Sequence, residues 1–171
     1  RPIAQEDSGE LLGTVSGILL HPDTGAVEGF FVAVPSSFMA NKTLFLSSLD
    51  VRRLSTALFV RGPWVLSDTQ EIMKIQSMLS DPRTILGQKI VTTSGVVLGT
   101  CCDVQFDTLH FRLEWLYPKK WMRVKDPLPI SEVIEVKPEA IIVKDPLAPT
   151  PILAPGEEEK TPLLAGVPDA A

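Results

Sequence analysis

The sequence is poor in the residues that most often do chemistry. Its 171 residues include two cysteines, two histidines and one tyrosine. The cysteines are adjacent, Cys101 and Cys102, whereas a disulfide framework needs more cysteines at wider spacing. Neighbours in a strand point to opposite faces, so these two are not expected to bond to each other. Two free thiols fit a reducing compartment, and the expected location is cytoplasmic. Only His21 and His110 could add to a zinc site, which needs more ligands than these. No metal and no cofactor is expected.

A basic excess is missing too. Sixteen lysines and arginines face 21 acids, for a net charge of −5. Phosphate neutralisation supplies most of the affinity of nucleic-acid binders, so the nucleic-acid signal is weak. No run approaches the roughly 18 apolar residues of a membrane helix, and no signal-peptide pattern is visible. No transmembrane segment is expected in this chain. A phosphate loop and a dinucleotide fingerprint are absent as motifs.

What is present is a β-rich pattern and a repeat. Apolar residues make up 44%, and Val, Ile, Thr and Phe recur in short runs suited to a pleated surface. Ser8-Gly9-Glu10-Leu11-Leu12-Gly13-Thr14 matches Ser94-Gly95-Val96-Val97-Leu98-Gly99-Thr100 at five of seven positions, at a constant offset of 86. The likeness continues with Val15 and Cys101, Ile18 and Val104, Leu20 and Phe106. A turn follows in each copy, at 21–25 and 107–110, then another strand, at 28–34 and 111–116. The ends match more loosely, 49–54 with 131–136 and 57–60 with 140–143. Apolar parity shifts within one strand, from Leu11 and Val15 to Ile18 and Leu20. Copy two does the same, from Val97 and Cys101 to Val104 and Phe106. Such a shift implies a bulge or sharp coil, the device by which small barrels close.

Between the copies the sequence predicts one helix near 69–80. Ser67-Asp68-Thr69-Gln70-Glu71 offers a cap, Ile72, Ile75 and Leu79 recur at helical spacing, and Asp81-Pro82 ends it. From Pro146 onward the chain is Pro-rich and then acidic, with too little apolar surface to offset ordering, and reads as an extended or disordered tail. The expected fold is mainly β: two small antiparallel β-barrels of about six strands each, in tandem, joined by one helix. The expected divisions are a first barrel at 1–63, a helical linker at 64–84, a second barrel at 85–146 and a tail at 147–171.

Each copy resembles a PRC-barrel domain, named for the H subunit of the photosynthetic reaction centre. The resemblance rests on Gly9 and Gly13, on Gly95 and Gly99, on Leu128-Pro129-Ile130-Ser131-Glu132-Val133, and on the closing strand Ala140-Ile141-Ile142-Val143. It covers about 1–62 and 87–145, and copy two is nearer the pattern. Copy one has Phe45-Leu46-Ser47-Ser48 in place of the Leu-Pro pair. The resemblance implies a docking module. Such domains form the cytoplasmic part of a reaction-centre subunit and the C-terminal half of a ribosome maturation factor, so the cytoplasmic face of a membrane complex is an implied location.

Asp23-Thr24-Gly25-Ala26 copies the tetrapeptide of retroviral aspartic proteases, but that chemistry needs two such aspartates sharing a proton. Asp107-Thr108-Leu109 supplies no matching glycine, and an ordinary turn suits the first motif. Cys101 aligns with Val15, a core position, which favours a structural cysteine over a redox pair. The histidines read as turn or surface residues with no recognisable triad partner. The best candidate contact patch is Trp115, Lys119, Lys120, Trp121 and Arg123, where aromatics alternate with bases. The competing reading is an amphipathic strand pair with Trp115 or Trp121 capping the barrel. The expected function is therefore a non-catalytic protein-interaction module, an accessory or scaffold part of a larger assembly, with an unspecified protein partner. A ribosome-maturation or RNA-associated factor is the alternative, and a thiol redox or other enzyme is the third.

Overall fold

In a computed structural model of the protein, residues 1–35 and 42–146 are described. Short apolar runs become strands, as their composition dictates. The first seven are β1 (Pro2–Gln5), β2 (Leu11–Leu20), β3 (Val27–Val34), β4 (Lys42–Ser47), β5 (Val51–Leu54), β6 (Leu58–Val60) and β7 (Leu66–Ser67). They form one sheet in the order β5-β6-β1-β2-β3-β4-β7. A helix, α1 (Met73–Leu79), follows in the chain. The second sheet contains β8 (Lys89–Thr92), β9 (Val97–Asp107), β10 (Arg112–Lys120), β11 (Arg123–Val124), β12 (Leu128–Pro129), β13 (Val133–Val136) and β14 (Ile141–Val143). Its order is β11-β10-β9-β8-β14-β13, with β12 also on β10. The fold is mainly β, and one of the two sheets is curled into a half-barrel.

The sequence repeat reappears as a repeat of strand pairing. Ile3 faces Gly13 as Ile90 faces Gly99. Phe30 faces Leu46 as Leu116 faces Leu128. The expected parity shift is a bulge in both sheets. Register slips between Val15 and Gly17 on β2, and between Cys101 and Asp103 on β9. The residues left over, Ser16 and Cys102, stand 86 apart. Among the described residues two strands have no counterpart: β7, which pairs with β4 and so carries the first sheet into the segment read as linker, and β11.

Two expectations are corrected. The sheets are not wholly antiparallel. Each has one parallel pair, β1 with β6 and β8 with β14. The strand that closes each copy first forms a hairpin with its predecessor, then lies along the free edge of the copy's first strand in the same direction. The helix is also shorter than expected. Residues 69–71 form a 3-10 turn capped by the Asp68 side chain, and Ile72 is extended, with φ −104 and ψ 98. The Ile72 carbonyl then accepts from Ile75 and Gln76 to start α1. Extended geometry at a β-branched residue breaks the run that periodicity alone would carry through. The expected tail, 147–171, lies outside the described residues.

The sheets meet through equivalent residues. Ala26 and Arg112, 86 apart, form an antiparallel bridge. The Val27 amide donates to the Phe111 carbonyl at 2.7 Å, and the Leu113 amide to the Gly25 carbonyl at 2.9 Å. Exchanging each residue for the one 86 positions away turns either bond into the other, so the contact has the reciprocity of a twofold axis. Gly25 and its counterpart Phe111 both have positive φ, 65 and 51. Side chains follow the same exchange. Leu20 packs on the core of the second sheet, and Phe106, its counterpart, on the core of the first.

Candidate contact surface on the second sheet

The β10–β11 hairpin brings together four of the five residues singled out from the sequence. Lys119 faces Val124 and Lys120 faces Arg123. Trp121 and Met122 are thereby left as the two turn residues. Both project into solvent, with 90% and 91% of their surface exposed. Trp121 has φ 59. Two-residue hairpins favour glycine or asparagine at such a position, and a bulky side chain there costs about 1–2 kcal/mol. The tip thus exposes a large apolar pair on a strained backbone, flanked by Lys119, Lys120 and Arg123. In the first sheet, β4 runs along β3 over six paired positions. On β10 the corresponding edge is divided between β11 and β12.

Trp115 stands apart from the tip. It lies six residues before Trp121, roughly 20 Å along an extended strand, and faces Gln105 and Pro129. Met122 and Val124 were missed in the sequence because the pattern sought was aromatics among bases. The adjacency Trp121-Met122 was the available signal.

The other sequence candidates are held in local structure. Asp23 pairs with the Arg83 guanidinium, which Asp81 also binds. Those two carboxylates raise the Arg83 pKa further above its ordinary value. The His110 ring pairs with Asp107, whose carboxylate also accepts the Leu109 amide at 2.9 Å. That amide and His110 hold the Asp107 pKa below the usual carboxylate range. Among the described residues, no helix is long and apolar enough to cross a membrane.

Cys101 is buried and Cys102 exposed, both as free thiols. Burial pushes the Cys101 thiol up to about 11. In the native protein one thiol, Cys102, should therefore react quickly with a thiol reagent, and Cys101 only after denaturation. Cys101→Val should leave stability within about 1 kcal/mol, whereas Cys101→Ser should cost about 1–3 kcal/mol by burying a hydroxyl. Rapid native labelling of both thiols would contradict this assignment.

Next to the hairpin, Asp145 ties the chain after β14 to the β8–β9 turn. Its carboxylate accepts from Thr93 Oγ1 and Ser94 Oγ, each at 2.6 Å. These bonds hold its pKa at about 2. The folded value lies below the unfolded one of about 3.9. The contribution is thus complete above about 3.9 and lost as pH falls through about 2. A carboxyl titration followed by NMR should show the Asp145 midpoint near 2, and a midpoint near 4 would contradict the clasp.

Comparison with protein-family models and with curated proteins finds no match for this chain.

Proposed function

We propose that the chain is a non-catalytic docking module of two PRC-barrel-like repeats, at about 1–63 and 85–146, with a partner protein bound at the β10–β11 hairpin. The carrying observation is the tip itself, Trp121 with 90% exposure at φ 59 beside Lys119, Lys120 and Arg123. Strain retained at an exposed position is a mark of function, since a glycine would relieve it at no packing cost. Trp, Met and Arg are also enriched at interface centres. Reciprocal contact between residues 86 apart supports the tandem reading. The buried Cys101 thiol supports a structural rather than a redox role for that residue. Two free thiols also suit a cytoplasmic setting.

The bases on the hairpin favour a second reading, an RNA-associated factor using the same surface. Affinity capture from the native cell with the full chain as bait tests both. The docking reading expects a bound protein that is lost with a Trp121→Gly bait. Binding to RNA that weakens steeply with salt, with no protein retained, would replace it with the second reading.

A further inference from the structure

A groove of about 510 Å³ opens beside the hairpin. Val96, Val97, Leu98, Pro118 and Leu128 give it an apolar floor. Lys120, Lys125 and Lys144 on its rim outnumber Asp126 and Glu132. Lys120 Nζ donates to the Val97 carbonyl at 2.9 Å and Lys144 Nζ to that of Ser131 at 3.0 Å. Each ammonium keeps two further donors. Pro146, the last described residue, is part of the groove wall. The clasp of Asp145 by Thr93 and Ser94 fixes it there.

The chain therefore leaves the described fold at the groove itself. The residues that follow are Leu147, Ala148, Pro149, Thr150, Pro151, Ile152, Leu153, Ala154, Pro155 and Gly156, then Glu157, Glu158 and Glu159. The groove supplies an apolar surface for the leucines and isoleucine of this segment. Proline-rich segments in general favour extended backbone, so that docking one costs little entropy. At about 3.1 Å per residue in that conformation, the acids can reach any of the rim lysines.

We propose that this groove is the docking site of the chain's own residues 147–159, with Leu147, Ile152 and Leu153 on the apolar floor and the three glutamates against Lys120, Lys125 and Lys144. The proposal goes beyond partner binding at the hairpin and does not depend on it.

Carbodiimide cross-linking of the full chain, mapped by mass spectrometry, tests it. The reagent joins carboxylates to amines only where they touch. Links from residues 157–159 to Lys120, Lys125 or Lys144 should exceed those to Lys42 and Lys89 at least fivefold. They should fall at least fivefold in Val97→Asp, and also in the double variant Ile152→Ser, Leu153→Ser. Val97 is exposed, so the first variant should keep its fold, which circular dichroism checks. In an equal mixture of isotopically light and heavy chains, every link should join residues of one label. Even spread over all lysines, indifference to the apolar substitutions, or absence of groove links would each overturn the proposal. Links of mixed label would assign the groove to a second copy and overturn it as well.

Discussion

Gly99→Ala should destabilise the protein by about 2–5 kcal/mol, among the largest effects expected of any single methyl group in this fold. Gly99 sits at φ 151, a region that L side chains rarely adopt. A Cβ there would lie 2.6 Å from the Lys119 carbonyl oxygen and 2.9 Å from its carbon. Those atoms are backbone of β10, held by the β9–β10 ladder, and cannot swing aside as a flexible side chain could. Gly13, the counterpart, also lies close to the neighbouring strand, with a Cβ 2.8 Å from the Ala33 carbonyl oxygen. Gly13 lacks the unusual φ, so Gly13→Ala should cost less than Gly99→Ala. Urea unfolding of the two variants checks both the size and the order. A loss under about 1 kcal/mol for Gly99→Ala would show that the strands are not held so closely.

Phe30→Ala should cost about 3–5 kcal/mol and lower the melting temperature by about 10 °C or more. Phe30 is buried in the core of the first sheet. Its ring lies 6.2 Å from those of Phe106 and Phe111, which are 6.0 Å from each other. Both of these partners belong to the second half of the chain. Removing the ring should therefore loosen both sheets, although the substitution lies in only one. Hydrogen exchange at Leu46 and at Leu116 should accelerate together. Acceleration at Leu46 alone would mean that the sheets open independently, and that the reciprocal contact contributes little.

Much of this architecture was legible because its signals are local. Gly9 and Gly13, repeated as Gly95 and Gly99, marked two copies. The parity change after Val15 and Cys101 marked the bulges at Ser16 and Cys102. The parallel pairing of β1 with β6 was not legible, since alternation along a strand does not tell which distant strand lies beside it, or in which direction. The extended geometry of Ile72 was hidden by helical spacing on either side. At the hairpin, sequence pointed to Lys119, Lys120, Trp121 and Arg123 by composition. It could not show that Trp121 occupies a turn position with positive φ, because bulky residues are rarely tolerated there. Trp115 was grouped with them through nearness in sequence, which an extended strand converts into separation in space.

Trp121→Gly tests the docking role most directly, because the account predicts opposite signs for stability and binding. Glycine suits positive φ, so the strain at the tip is released and the melting temperature should rise. The expected gain is up to about 1 kcal/mol, reduced somewhat by the greater freedom of glycine in the unfolded chain. The captured partner, by contrast, should bind at least roughly 30-fold more weakly, the loss expected when a central interface tryptophan is removed. A rise in stability accompanied by loss of the partner is the predicted result. Unchanged partner affinity in a folded Trp121→Gly protein would contradict the account, and would leave the exposed tryptophan as a structural feature of the turn.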